Sequence, residues 1–249
     1  CVTTVIAAIH VLILVASRDL GAALLFFVTY VVMLYVATKK LLYFAGGLAA
    51  GSAASVVAYH LFSHIRVRVR AWQNPLAYID KEGYQISQSL FAIGTGGWFG
   101  MGLYQGLPDK IPVVKQDFIF SAVSEELGGI FALCLIMVCF SCFLMFLNIA
   151  MQMKDQFYKL VALGLGTIYA FQVFLTIGGA TKFIPMTGVT LPLVSYGGSS
   201  LLSTILMLAI IQGLYILRED EDEEFEKRKK EALQRIRARE EIGDRTRRF

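Results

Sequence analysis

The chain has 249 residues, of which 56% are hydrophobic and only 17% charged, with a formal net charge of +4. A soluble domain usually carries about 25% charged residues, and the charges here crowd into the tail from Arg218 to Phe249 while long stretches carry none. That pattern excludes an ordinary soluble domain and points to a polytopic membrane protein with a charged appendix. The net charge averages two environments, so it is no argument for a nucleic-acid partner, and none is expected.

The chain opens at Cys1 on residues that already look like the interior of an apolar helix. They carry neither a charged n-region nor a small-residue cleavage site, so a signal peptide is not expected. The expectation is a C-terminal fragment of a longer chain. A bilayer-crossing helix needs about 20 mostly apolar residues. Six candidates satisfy or approach that: 2–16 (short), 20–37, 41–62, 127–150, 160–178 and 199–217. Two further apolar regions are broken. Residues 88–103 are interrupted by Gly94, Gly96, Gly97, Gly100 and Gly102, and residues 183–196 by Pro185, Gly188 and Pro192. Non-helical backbone at membrane depth survives only inside protein or against a watery cavity, so both read as re-entrant or interfacial segments.

Short loops rich in Lys and Arg stay cytoplasmic. Lys39-Lys40, the Lys154–Lys159 loop and the cluster Lys227-Arg228-Lys229-Lys230 fall on one side when the spans are counted. The predicted topology therefore has a membrane domain over 1–217 and a cytoplasmic tail over 218–249. A large external loop (63–126) and a second external segment (179–198) lie on the other side. Glu223/Lys227, Glu224/Arg228 and Glu226/Lys230 are i,i+4 pairs in the favourable order, which makes the tail a solvated helix. Cys134, Cys139 and Cys142 sit in one apolar run and read as small buried hydrophobes. His10, His60 and His64 lack ligand partners at metal-binding spacing, so no metal residues are assigned.

Asp117 stands out because a carboxylate at the edge of an apolar segment is costly unless solvated, paired or used. It reads either as a general base or as the N-cap of a helix beginning near Phe118. Glu125 and Glu126 follow, either as acids that hold a cation or a substrate together with Asp117 or as first-turn acids of the 127–150 helix. Arg66, Arg68 and Arg70 leave the third span, and arginine forks suit phosphate. Alternate arginines spread around a helix, and Arg70 is the preferred substrate contact of the three. Lys115 and Lys182 are further cation candidates. The run from Thr190 to Ser200, with Ser195, Ser199 and Ser200, breaks a helix and exposes backbone N–H groups. It could line a ligand groove or form a packed turn before the last span.

Three blocks are similar in order and spacing to one family. They are Arg70-Ala71-Trp72-Gln73-Asn74-Pro75 continuing to Gly83-Tyr84-Gln85-Ile86-Ser87-Gln88-Ser89-Leu90; Gln116-Asp117-Phe118-Ile119-Phe120 with Glu125-Glu126-Leu127-Gly128; and Thr187-Gly188-Val189-Thr190-Leu191-Pro192-Leu193-Val194-Ser195-Tyr196-Gly197-Gly198-Ser199-Ser200. A fourth, Ser17-Arg18-Asp19-Leu20-Gly21, has Ser-Arg where that family usually has Gln-Pro. Lys115-Gln116 stand where it often has His-Thr. Together they resemble the shape, elongation, division and sporulation (SEDS) family.

The resemblance implies an all-α polytopic membrane fold, with these six spans as the C-terminal part of a ten-helix protein in the bacterial cytoplasmic membrane. It implies an inverting peptidoglycan glycosyltransferase that polymerises lipid II during cell division or elongation. Asp117 would be the catalytic base on the outer face. Arg70, Lys115, Glu126, Lys182, Ser195, Ser199 and Ser200 would be substrate-binding residues. A class B penicillin-binding protein (the transpeptidase) and other division or elongation proteins would be partners, and a divalent cation, Mg or Mn, a cofactor. The alternatives are a lipid II flippase, which should carry its key charges near the bilayer midplane, and a non-catalytic scaffold.

Overall fold

A computed structural model describes residues 2–247, and among them every regular element is helical. In chain order these are α1 (Val2–Ala16), α2 (Leu20–Thr38), α3 (Leu41–Leu61), α4 (Ser63–Gln73), α5 (Tyr84–Gly96), α6 (Ile119–Gln152), α7 (Gln156–Ala180) and α8 (Gly198–Arg247). Five are long and apolar enough to cross a membrane: α2, α3, α6, α7 and the 198–220 part of α8. The predicted first span, α1, has only 15 residues. The chain is thus an all-α, multi-pass membrane protein.

Local chemistry sets the ends. Asp19 caps α2, its carboxylate accepting from Ala22 N at 2.9 Å, and Asp155 does the same for α7 through Phe157 N at 2.7 Å. A side-chain acceptor there satisfies one of the orphan amides of the first turn. Lys39 turns left-handed and ends α2, so α3 begins two residues later. The third predicted span stops at Leu61 because the backbone extends at Phe62. Arg66, Arg68 and Arg70 therefore lie on a separate helix, α4, and not on a continuing exit.

The span expected from Leu127 matches the part of α6 that follows a break, and a shorter helical segment precedes it. The helix starts eight residues earlier, at Ile119, and is broken at Gly128, which takes φ +86° and ψ 170°. The glycine-rich run explains the break. Gly129 N donates to Gly97 O at 2.8 Å and Ile130 N to Trp98 O at 3.2 Å, while Met101 N and Gly102 N donate to the carbonyls of Glu125 and Glu126. Residues 97–102 thus take up backbone groups that the kink frees. The approach requires glycine: a Cβ at Gly100 would sit 2.2 Å from Glu126 O, and one at Gly96 2.0 Å from Ser124 O.

Two cores hold the helices together. One joins α6, α7 and α8 through Phe146, Ile149, Ala162, Tyr169, Met207 and Ile211, with Phe146 edge-on to Tyr169 at 5.3 Å. The other lies at the opposite end of α6 and holds Ala71, Ile86, Ile111, Val114, Phe118 and Ala180. There Ser89 ties α5, α6 and α7 with buried bonds to Ser121 Oγ (2.6 Å) and Ala180 O (2.7 Å). α8 runs unbroken past Arg218, so the tail continues the last span as one helix. Glu223 pairs with Lys227 at 3.7 Å; the side chains of Glu224 and Glu226 lie outside the described residues.

Candidate functional site

The second core carries a cavity of about 570 Å³ above it. Its walls come from separate parts of the chain: Arg68 and Ala71 on α4, Glu82 and Gln85 at the start of α5, Asp117 ahead of α6, and Met186 after α7. Three of the sequence blocks meet or abut here.

Asp117 sits at the end of a turn, its N–H donating to Val113 O at 3.1 Å. It does not cap α6. Phe118 holds the cap position, with no side-chain cap bond. The Asp117 carboxylate is half-buried and faces the cavity instead. Burial pushes its pKa above the ordinary aspartate value, and the Arg68 guanidinium opposes that rise. Desolvation penalises the charged form, a nearby cation favours it, and here desolvation dominates.

Arg68, not Arg70, is the arginine that lines this cavity. α4 turns Arg68 inward, where Nη1 donates to the carbonyls of Met186 (3.4 Å) and Thr187 (3.2 Å). Arg66 turns back to His60 O at 2.7 Å, and Arg70 is exposed. Two residues along a helix is a rotation of about 200°, so Arg68 points away from Arg66 and Arg70, which share the other face. Helical phase was the signal available in the sequence; Val67, Arg68 and Ala71 share the face that Ala71 buries. Glu82 and Lys81, which sequence reasoning missed, also line the cavity.

The segment after α7 shows how irregular backbone persists among membrane helices. Arg68 takes the carbonyls of Met186 and Thr187. Thr176 Oγ1 donates to Val189 O at 2.8 Å, and Gln172 Nε2 donates to Thr190 O at 3.0 Å. Carbonyls that a helix would satisfy internally are satisfied by side chains, as low dielectric demands. Asp19-Leu20-Gly21 supports the same segment. Gly21 lies so close that a Cβ there would be 2.6 Å from Val189 Cγ2 and 2.9 Å from Thr187 O.

Ser195 joins this segment to Asp117. Its hydroxyl donates to Gln116 O at 2.5 Å and accepts from Leu191 N at 2.8 Å. Tyr196 N donates to Lys115 O at 2.7 Å. Ser195 thus holds the backbone next to Asp117, and Lys115 contributes its carbonyl while its side chain is exposed. The remaining candidates do not line the cavity. Lys182, left-handed at φ 60°, accepts from Trp72 Nε1 through its carbonyl at 3.1 Å. Glu126 offers its carbonyl to Gly102. Ser200 bonds Thr190 through their hydroxyls at 2.7 Å, and Ser199 is exposed. Glu125, 6% exposed, accepts from Leu107 N through Oε1 at 3.2 Å.

The family model of the FtsW/RodA/SpoVE cell cycle proteins matches residues 1–219. Among curated relatives, the peptidoglycan glycosyltransferase RodA of Mycobacterium bovis is 43% identical over 203 residues, covering 82% of this chain and 43% of its own. The stage V sporulation protein E of Bacillus subtilis is 38% identical, covering 80% of this chain and 54% of its own. A probable peptidoglycan glycosyltransferase FtsW of Aeromonas salmonicida is 36% identical, covering 80% and 51%. The chain therefore spans about half the length of the curated relatives it matches. A solved chain from a peptidoglycan synthase complex superposes with a TM-score of 0.70, covering 86% of this chain and 61% of that one. At 24% identity this likeness speaks for the fold. With a family match over nearly all of its apolar part and relatives of this similarity, the chain belongs to the FtsW/RodA/SpoVE family of cell cycle proteins.

Proposed function

We propose that this chain carries the catalytic half of a peptidoglycan glycosyltransferase that polymerises lipid II, with Asp117 as general base. The observation that carries the reading is the cavity in which a half-buried, pKa-raised Asp117 meets a fixed Arg68. The reaction joins an acceptor sugar hydroxyl to the anomeric carbon of a lipid-linked pyrophosphate donor. The hydroxyl is a poor nucleophile, and Asp117 takes its proton as the new C–O bond forms. A positioned base typically contributes about 10²–10⁴-fold, and a raised carboxyl pKa makes a stronger base. The bond to the pyrophosphate breaks with its electron pair on the leaving oxygen, and the guanidinium of Arg68 stabilises that charge. One displacement inverts the anomeric centre, so no protein nucleophile is needed.

Among the described residues no three His, Cys, Asp or Glu side chains come together to hold a metal. Two carboxylates, Asp117 and Glu82, line the cavity, and Mg²⁺ is commonly held by one or two carboxylates together with substrate phosphates. Glu82, with the substrate's own phosphates, would hold such a cation, which would neutralise pyrophosphate charge. Asp117, Arg68 and the segment around Gly188 would lie on the outer face of the bacterial cytoplasmic membrane, with the tail inside. The partner would be a transpeptidase of the class B penicillin-binding type. Arg70, Lys115, Glu126, Lys182 and Ser199 would meet substrate only peripherally, beyond the cavity wall.

The test is glycan polymerisation from lipid II by the full-length gene product. Asp117→Asn should lower the rate at least about 100-fold with expression and folding intact. A mutant that polymerises at the wild-type rate would reject the assignment. Translocation of labelled lipid II without polymer in the wild-type protein would replace it with a transporter.

A further inference from the structure

The run 97–107 carries no Asp, Glu, Lys or Arg. It presents Trp98, Phe99, Met101, Leu103, Tyr104 and Leu107 outward; Phe99 is 86% and Tyr104 92% exposed. Contiguous apolar surface on this scale marks an interaction site. The loop is also not loose. Its backbone bonds to Glu125, Glu126, Gly129 and Ile130, and Leu107 N is held by the buried Glu125. An apolar loop built onto a rigid support is a presented surface.

Its place along α6 identifies the partner. From Ile130 to Gln152 the helix rises about 33 Å at 1.5 Å per residue, close to the hydrocarbon thickness of about 30 Å. Charged residues flank that stretch, Glu125 and Glu126 on one side and Lys154 and Asp155 on the other. The kink at Gly128 therefore marks a bilayer boundary. Trp98 is hydrogen-bonded to Ile130, the first residue of that stretch, and Ile130, Phe131, Leu133 and Met137 are themselves exposed on a membrane-crossing helix. The apolar loop is continuous with that lipid-facing surface at the level where the aromatic belt of membrane proteins lies.

We propose that residues 97–107 form a wedge inserted into the headgroup–acyl boundary of the bilayer, with Trp98, Phe99, Leu103 and Tyr104 in lipid. The wedge fixes the depth of the α6 kink and, through α6, the height of Asp117 above the hydrocarbon. The lipid contact does not depend on the glycosyltransferase reading.

The test uses the full-length gene product in nanodiscs, with Trp98 as its sole tryptophan and the others replaced by Phe. Trp98 emission should be quenched several-fold more by phospholipids brominated near the headgroup than by deeply brominated ones, and only weakly by aqueous iodide. Dominant iodide quenching places the loop in water and overturns the proposal. Protection from lipid and iodide alike means a protein covers it, which also overturns it. A nitroxide at Leu103→Cys gives the same decision if the tryptophan background folds poorly. Greater accessibility to oxygen than to a nickel chelate supports the wedge; greater accessibility to the chelate, or to neither, rejects it.

Discussion

Gly188 lies against both Arg68 and Asp117: a Cβ at that position would be 4.0 Å from Arg68 Nη2 and 4.0 Å from Asp117 Oδ2. With φ at +78°, the backbone passes the two charged groups in a conformation that side chains rarely adopt. Gly188→Ala has room for its methyl but pays in backbone strain, about 1–2 kcal/mol. The expected outcome is a lower melting temperature in detergent and a several-fold loss of polymerisation. An alanine variant with unchanged stability and rate would show that this backbone is not held as described.

Arg68 acts on Asp117 through charge and on the 183–196 segment through the carbonyls of Met186 and Thr187. Removing the guanidinium takes away the influence that lowers the Asp117 pKa, so the pKa rises further. As the proposed base, Asp117 would have to be ionised. The acid limb of the kcat/KM profile should therefore move to higher pH in Arg68→Gln, along with a large drop in the plateau. Arg70→Gln, on an exposed residue, should change the plateau by less than about threefold and leave the limb in place. A larger effect at Arg70 than at Arg68 would reverse the assignment of the site's arginine.

The sequence carried the apolar spans and the family blocks, because apolar length and motif spacing are local properties. It carried less of what depends on where a helix points. Choosing among Arg66, Arg68 and Arg70 required the phase of α4, and no proline or glycine marks the extended Phe62 that starts α4 afresh. The 127–150 span left out the segment 119–127 that precedes it in α6, because Glu125 and Glu126 look like first-turn acids. The break between the two, at the non-helical Gly128, is set by bonds from the 97–102 loop that lies far back in the chain. The serines were legible as a break before the last span, but Ser195 reaches 79 residues back to Gln116, a contact no local pattern encodes.

Ser195 and Ser199 separate a positioning role from a substrate-binding one. Ser195→Ala removes the link to Gln116 O and leaves the Leu191 amide without its acceptor, a cost of about 1–3 kcal/mol where the group is buried. Because that link holds the residue before Asp117, kcat should fall about tenfold or more with KM little changed. Ser199→Ala, at an exposed position, should be near wild type in both. A rise in KM for Ser195→Ala at constant kcat would make the hydroxyl a substrate ligand instead.

The kink is held by contact as much as by hydrogen bonding. A methyl at Gly100 would lie 2.2 Å from the Glu126 carbonyl oxygen, and Gly100 itself is left-handed at φ +78°. The Glu126 oxygen belongs to backbone and a methyl has no rotamer to change, so no side-chain rotation relieves the clash. Gly100→Ala should cost several kcal/mol by overpacking and strain and should be read as loss of monodisperse protein on size exclusion. Gly94→Ala is the control, since a Cβ there meets nothing within 4 Å. Placed in a helix interior, it should be neutral or slightly stabilising. Equal behaviour of the two variants would contradict the packing of the loop on α6.

Asp117 also predicts how stability varies with pH. Its pKa is raised in the folded protein, so the native state holds the proton more tightly than the unfolded chain does. Stability from this group is present below the unfolded aspartate value of about 3.9 and is lost as pH rises through the folded pKa. At neutral pH the ionised carboxylate is therefore expected to destabilise the fold. Asp117→Asn removes the charge and keeps the shape. At pH 7 it should melt at or above the wild-type temperature, and that difference should shrink as pH falls below the ordinary aspartate range. Activity and stability move in opposite directions in this one variant, which separates a catalytic carboxylate from a structural one. A lower melting temperature at pH 7 for Asp117→Asn would mean that the carboxylate stabilises the fold, and the sign of its pKa shift would have to be reversed.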